Sequence, residues 1–376
     1  MNNRSIEVRG RESRGPCRVM VVDDSAIARG IVTRTLEEET DIKVVASVSN
    51  GLMALKTIGR QEIDVVVLDI EMPELDGLAA LPRLLEMKPD LKVIMVSSAS
   101  QRDADISLKT MAMGAADYVA KPKAGLGGAE SFRVELVNKV RAHGVCATEV
   151  SKKKPEPAPP PTATKVQANP AAPIVRSTFK AFRPDAIAIG SSTGGPQALA
   201  EVLKDLNPGL TQPILVTQHM PATFTALLGE HMTRYSGRLA AEARDGEPLE
   251  KGRIYIAPGG KHMLVEQRAT GGLILRLDDG PPENSCKPAV DPMLRSLARH
   301  YKERLLAVIL TGMGSDGLKG CQTVLEEGGR VLAQDRESSI VWGMPGAVAQ
   351  AGICEEILPL QKIGPAIARI AAGEKK

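Results

Sequence analysis

Residues 185–196 read D-A-I-A-I-G-S-S-T-G-G-P. The apolar run 186–189 has the length of a short buried strand, Gly190 stops it, and the spacing predicts a helix starting near Pro196. Gly190, Gly194 and Gly195 allow φ > 0 wherever the turn needs it, and a proline suits a first helical turn. The hydroxyls of Ser191, Ser192 and Thr193 are therefore expected between the carboxyl end of a strand and the amino end of a helix. In an open α/β sheet ligands bind at that edge, and helix N–H groups there favour developing negative charge. A phosphate cradle, a plain tight turn and a seat for a nucleophilic serine all fit this stretch.

Downstream, strand and helix keep alternating. A helix is expected over 198–206 and a buried strand over 213–217. That strand ends in Q-H-M-P (218–221), followed by a helix over 223–235 capped by Thr223. A strand at 253–257 leads into P-G-G-K-H-M, and 262–267 with 272–278 read as a β-hairpin. After a helix near 292–300, the apolar strand 305–310 ends in T-G-M-G-S-D-G (311–317). A helix from about 318 to 327, a strand at 331–333, a short helix near 345–351 and a last unit at 366–372 complete an α/β fold with a mainly parallel sheet.

Three strand ends thus present Ser192, His219 and Asp316. A serine hydroxyl is a poor nucleophile near neutral pH. It needs a base such as histidine, and a carboxylate fixes that imidazole's tautomer and stabilises its cation. The chain order Ser, His, Asp differs from the common hydrolase orders, but geometry and not order defines a triad. The residues leave rivals open: Ser191 or Thr193 as hydroxyl, His262 as base, Asp316 as a helix cap, His219 as an ordinary loop histidine. His143, His231 and His300 fall in predicted helices and are expected at surface or packing positions.

Toward the N-terminus the same alternation runs through 18–22, 27–38, 42–48, 51–59, 65–68, 78–87, 93–96, 103–113, 117–120 and 129–142, which predicts a doubly wound parallel sheet. Asp23 and Asp24, Asp69, Ser97 and Ser98, and Lys121 each follow a strand, so all are expected on one sheet edge. Clustered carboxylates repel unless a hard cation joins them, and an oxygen-rich octahedral site suits Mg²⁺. A carboxylate there can accept a phosphoryl group as an acyl phosphate.

Residues 146–180 are dominated by proline, alanine and lysine and have lost apolar periodicity, as in a semi-extended tether. The chain has 376 residues, enough for two or three domains, and a net charge of +3 that calls for no polyanionic partner. Aromatics at 2% argue against a base-stacking surface. Five scattered cysteines with no C-x-x-C pair suit a reducing compartment. Residues 1–16 are polar and basic, unlike a secretory signal, and no apolar run reaches the ~20 residues of a membrane span. A cytoplasmic monomer without membrane insertion or nucleic-acid binding is expected.

Over 18–143 the chain resembles the response-regulator receiver domain, a flavodoxin-like fold, through V-D-D-S (22–25), L-D-I-E-M-P-E-L-D-G (68–77), V-S-S-A (96–99) and D-Y-V-A-K-P (117–122). The resemblance implies Asp69 as phosphoacceptor and Asp23, Asp24 and Asp69 around Mg²⁺. It also implies Ser97, Tyr118 and Lys121 as the switch hydroxyl, aromatic and lysine. Over 166–376, A-I-G-S-S-T-G-G-P, Q-H-M-P-A-T-F-T, Y-I-A-P-G-G-K-H-M, L-T-G-M-G-S-D-G and A-Q-D-R-E-S-S-I-V-W-G-M-P resemble the catalytic domain of the CheB methylesterases, with a Rossmann-like fold. One local departure is Ser315, where Asn is common.

That second resemblance implies Ser192 as nucleophile, His219 as base and Asp316 as orienting carboxylate. It implies a phosphorylation-activated protein-glutamate methylesterase and glutamine deamidase, acting on methyl-accepting chemotaxis receptors, with a chemotaxis histidine kinase as phosphodonor. No cofactor is expected for the esterase. Backbone N–H groups near Thr193 and at Met313 are candidate oxyanion donors. The expected boundaries are a receiver at 17–143, a linker at 144–182 and a catalytic domain at 183–376. The unphosphorylated receiver is expected to dock over the Ser192 edge. The rival reading is a response regulator whose second domain only binds a protein partner.

Overall fold

The computed structural model describes residues 15–98, 101–121, 126–144, 182–206 and 209–373. The expected tether at 146–180, the polar start at 1–14 and Pro122 lie outside the described residues. The chain divides into two compact units, each built on a parallel sheet.

The first unit follows the expected alternation: β1 (Cys17–Val22), α1 (Ala26–Glu37), β2 (Ile42–Val48), α2 (Gly51–Ile58), β3 (Val65–Asp69), α3 (Gly77–Met87) and β4 (Lys92–Ser97). The chain then passes through α4 (Gln101–Ala112), which groups with the second unit, before β5 (Asp117–Ala120) and α5 (Leu126–His143) complete the first. Ser25, Asn50 and Asp76 cap α1, α2 and α3, each accepting a backbone N–H three residues on. The strands pair in parallel in the order β2-β1-β3-β4-β5, the flavodoxin-like arrangement. β3 is buried along its whole length, as a central parallel strand must be when helices cover both faces.

The second unit contains β6 (Ala186–Ser191), α6 (Gly195–Lys204), β7 (Ile214–Gln218), α7 (Ala222–Ser236), β8 (Ala240–Glu242), β9 (Ile254–Ile256), β10 (His262–Gln267) and β11 (Leu273–Asp278). There follow α8 (Val290–Tyr301), β12 (Leu305–Ile309), α9 (Leu318–Glu326), β13 (Arg330–Gln334), α10 (Met344–Gln350), β14 (Glu356–Leu358) and α11 (Leu360–Ala372). Seven strands run β14-β13-β12-β6-β7-β9-β8, all parallel, while β10 and β11 form the expected hairpin. The order reverses at β6, which lies between β12 and β7. The crevice beyond the carboxyl ends of these three strands is thus the topological switch point, where open α/β sheets bind ligands.

Local differences from the sequence reading have simple causes. The short strands β8 and β14, three residues each, offer no periodicity to read. Thr223 does not cap α7: the helix begins at Ala222, with Pro221 at the cap position in extended conformation. Pro221's fixed φ turns the chain one residue early, and Thr223 falls inside the first turn. Of the glycines at 190, 194 and 195 only Gly194 has positive φ, 73°, at the cap of α6.

Candidate active site

The register of the central strands brings the three sequence-singled residues to one rim. Ser191 pairs with Gln218 across β6 and β7, and Gly190 with Ile309 across β6 and β12. One residue further, the Ser192 N–H donates to Thr311 O (3.0 Å) and the His219 N–H donates to Ser191 O (3.1 Å). Gln218 ties the ends together. Its Oε1 accepts from Ser191 Oγ (2.6 Å) and its Nε2 donates to Ser192 O (2.9 Å) and His219 O (3.1 Å).

These contacts separate the three hydroxyls. Ser191 is fully buried and committed to Gln218, and Thr193 is buried with its carbonyl accepting from Thr311 Oγ1 (3.0 Å). Ser192 is half-buried, and among the described residues nothing hydrogen-bonds its hydroxyl. No side chain larger than hydrogen fits at Gly312, where a Cβ would come 2.8 Å from Ser192 Cβ. Among the described residues no acceptor serves the backbone N–H of Thr193 or Met313.

The histidines separate as well. Both nitrogens of buried His262 are engaged, Nε2 with Pro281 O (3.0 Å) and Nδ1 with the Ala289 N–H (3.1 Å). His219 instead places Nε2 2.8 Å from Asp316 Oδ2, its side chain still 12% exposed. Asp316 is 2% exposed and accepts four further hydrogen bonds: from the N–H groups of Val290 (2.6 Å), Asp291 (3.1 Å) and Gly317 (3.0 Å), and from Asn284 Nδ2 (2.8 Å). Val290 and Asp291 open α8, whose own cap residue Ala289 has no capping side chain. Asp316 therefore caps α8 from a distant loop and holds His219 as well.

Burial would raise the Asp316 pKa, but the His219 contact and the α8 amides outweigh it and keep the group below the ordinary carboxylate range. An ionised Asp316 only accepts, so His219 Nε2 donates and Nδ1 is the nitrogen left to take a proton. Burial would lower the His219 pKa; the hydrogen bond to Asp316 and the Cys286 sulfur overcome it and raise it to about 9. Cys286 Sγ lies 3.4 Å from Nδ1. Sequence reasoning passed over Cys286, Asn284 and the bracing role of Gln218. The first two sit in a loop without periodicity, though Gln218 stands in the Q-H-M-P run itself.

In the first unit, Asp23, Asp24 and Asp69 offer carboxylate oxygens within 4.8 Å of one another. Lys121 Nζ bridges Asp23 Oδ2 (3.0 Å) and Asp69 Oδ1 (2.8 Å). Burial first, then Asp23, pushes Asp69 up to about 6 against the pull of Lys121. Ser97 is buried at the end of β4, and its carbonyl accepts the Lys121 N–H (2.7 Å). Tyr118 is buried with Lys139 Nζ 4.6 Å from its ring centroid. An all-oxygen donor set fits a hard divalent cation.

The response regulator receiver domain family matches residues 19–125, and the CheB methylesterase family matches residues 187–367. A protein-glutamate methylesterase/protein-glutamine glutaminase of Azospirillum brasilense is 54% identical over 374 residues, covering 95% of this chain and 93% of that one. Its counterpart in Paramagnetospirillum magneticum is 55% identical over 368 residues, covering 94% of this chain and 96% of the relative. The solved CheB methylesterase catalytic domain of Thermotoga maritima is 40% identical, with a TM-score of 0.49, over 50% of this chain and 98% of its own. The chain belongs to the CheB methylesterase family, and it joins a receiver domain to a methylesterase domain.

Proposed function

We propose that this protein is a phosphorylation-activated serine esterase that hydrolyses glutamyl methyl esters, and deamidates glutamines, on methyl-accepting chemotaxis receptors. The observation that carries the reading is the Asp316–His219 dyad at the same switch-point rim as the half-buried Ser192, whose hydroxyl no described residue hydrogen-bonds. The names of relatives matched over 93% and 96% of their own length supply the reaction on protein glutamate and glutamine, and the receptor substrate follows from the family resemblance.

Ser192 Oγ attacks the ester carbonyl while His219 Nδ1 takes its proton, and Asp316 stabilises the imidazolium through Nε2–H. The tetrahedral oxyanion is held by the N–H groups of Thr193 and Met313. His219 returns the proton to the leaving methoxide, methanol departs, and an acyl-enzyme remains. Water then attacks with His219 again as base, which frees the glutamate carboxyl and Ser192. With glutamine the leaving group is ammonia, and the product is the same glutamate.

Control is assigned to residues 17–143, joined through 144–182 to the catalytic residues 183–376. Asp69 accepts a phosphoryl group from a chemotaxis histidine kinase, with Ser97, Lys121 and Tyr118 answering to it. Asp23, Asp24 and Asp69 would hold Mg²⁺, which when bound neutralises charge on the transferring phosphoryl group. The receiver restrains the esterase until phosphorylated. No helix among the described residues is long and apolar enough to cross a membrane.

The test is methanol release from methylated receptor membranes, with and without a small-molecule phosphodonor. Wild type should release methanol, faster with the donor, and a fragment from residue 183 should outpace the unphosphorylated full chain. Ser192→Ala should lose at least about 10⁴-fold; near-normal turnover sinks the assignment. Fluorophosphonate labelling separates this reading from a partner-binding output domain, which would leave Ser192 unlabelled.

A further inference from the structure

The base nitrogen of His219 faces a thiol. Residues 283–286 form a tight turn closed by paired backbone hydrogen bonds between Glu283 and Cys286 (3.1 and 2.9 Å). Asn284 and Ser285, at its centre, both take left-handed backbone, φ 53° and 62°. A serine there is disfavoured by about 1 kcal/mol or more, so neighbouring contacts must hold the turn. They are present. Arg295 grips Glu283 with two hydrogen bonds (2.7 and 2.6 Å), and Asn284 Nδ2 reaches Asp291 Oδ2 (2.9 Å) and Asp316 Oδ1 (2.8 Å). Cys286 Sγ is thereby fixed 3.4 Å from His219 Nδ1.

We propose that Cys286 Sγ and His219 Nδ1 form a binding site for a thiophilic divalent cation such as Zn²⁺, whose occupancy switches the esterase off. A tetrahedral zinc with ordinary Zn–N and Zn–S bonds sets its nitrogen and sulfur ligands roughly 3.6 Å apart, close to the spacing found. A second observation is independent of that distance. Asp316 accepts from Nε2–H, the carboxylate–histidine arrangement that fixes the tautomer of zinc-bound imidazoles and presents the opposite lone pair to the metal. Asp316 itself, near enough to be counted with the pair, is already occupied by five donors and serves as orienter, not ligand.

Binding releases the thiol proton, and the Nδ1 proton where the ring is charged, to buffer. The remaining coordination positions go to water, since His219 and Cys286 are both partly exposed. Two protein ligands make an exchangeable site, unlike the four of a structural zinc. The acidic cluster of the receiver offers only oxygen, so an ion held there gives no sulfur-to-metal signal, and excess Mg²⁺ competes for it. A cation on Nδ1 takes the lone pair that would accept the Ser192 proton, so the inhibitory consequence rests on the esterase reading while the binding does not.

The test uses the full-length protein in excess Mg²⁺, titrated with Co²⁺ and then Zn²⁺. A near-ultraviolet sulfur-to-cobalt charge-transfer band is expected; Zn²⁺ should erase it and Cys286→Ala should lack it. A missing band in wild type, or one that persists in Cys286→Ala, overturns the site. In the methanol assay, Zn²⁺ should remove most of the wild-type rate, a chelator should restore it, and Cys286→Ala should keep most of its own rate at the same Zn²⁺ concentration. A band without any methanol release under any condition would refute the esterase and leave the metal site standing. A band with methanol release indifferent to Zn²⁺ would refute the switch.

Discussion

Two buried aspartates, one at each sheet's carboxyl rim, have been pushed in opposite directions. Asp69 and Asp316 are 5% and 2% exposed, so desolvation disfavours the charge on both. Asp69 meets one shared lysine, one backbone N–H and the repulsion of Asp23, and its pKa rises to about 6. Asp316 meets five donors, two of them at the start of a helix, and stays below the ordinary range. The difference lies in what each must do. A carboxylate that is to react is left under-compensated, so that a cation or a phosphoryl group improves its surroundings. One that is to orient a base is saturated with donors and has nothing left to gain.

The sharpest way to break this contrast is to remove the charge that does the orienting. Asp316→Asn leaves the shape in place but turns an acceptor-only group into one that can donate, so His219 loses the fixed tautomer with Nδ1 free. Methanol release should fall by about 10⁴-fold. The variant should also melt earlier, because α8 loses its charged cap. A drop of less than tenfold would mean that Asp316 is only a cap.

Much of this contrast was legible in the sequence, because it follows from strand ends. Alternation of apolar runs with helical patterns fixes a parallel sheet, and a parallel sheet puts Asp23, Asp69 and Lys121 on one edge and Ser192, His219 and Asp316 on the other unit's edge. Pairing was not legible. Whether Ser191 or Ser192 is the open hydroxyl depends on Gln218 reaching across from β7. His262 is set aside by a carbonyl and an amide from the segment before α8. Asp316 capping a helix that begins 26 residues earlier, and Cys286 facing the base, are long-range contacts that no local pattern encodes.

The proton on His219 gives a second, smaller handle. Its folded-state pKa of about 9 lies above the model-peptide value of 6.5, so its protonation contributes stability that is complete below pH 6.5 and lost as pH rises through 9. Catalysis runs the other way, since the base works only when Nδ1 is bare. At pH 7 about 1% of the ring is neutral, and at pH 9 about half. The phosphorylated enzyme should gain about tenfold in kcat/KM from pH 7 to 8 and level off above 9. A profile already flat at pH 7 would show that Asp316 and Cys286 do not hold the imidazolium.

The smallest effect belongs to the under-compensated carboxylate, and its sign is unusual for a functional residue. Asp69 ionises at about 6 in the fold and near 3.8 when unfolded, so stability is fully present below 3.8 and is lost as pH rises through 6. At pH 7.5 the cost is about 3 kcal/mol at most. Asp69→Asn removes it but leaves Lys121 with Asp23 alone, so a net gain of about 1–2 kcal/mol is expected. Amide exchange across residues 65–68 of β3 should slow accordingly at pH 7.5, and the advantage should shrink toward pH 5. Mg²⁺ should narrow it too, because the cation supplies to the wild-type carboxylates the compensation that the asparagine makes unnecessary. If Asp69→Asn were instead less stable at every pH, the strain would have to lie elsewhere, and the opposition between a carboxylate left to react and one held to orient would fail at this end.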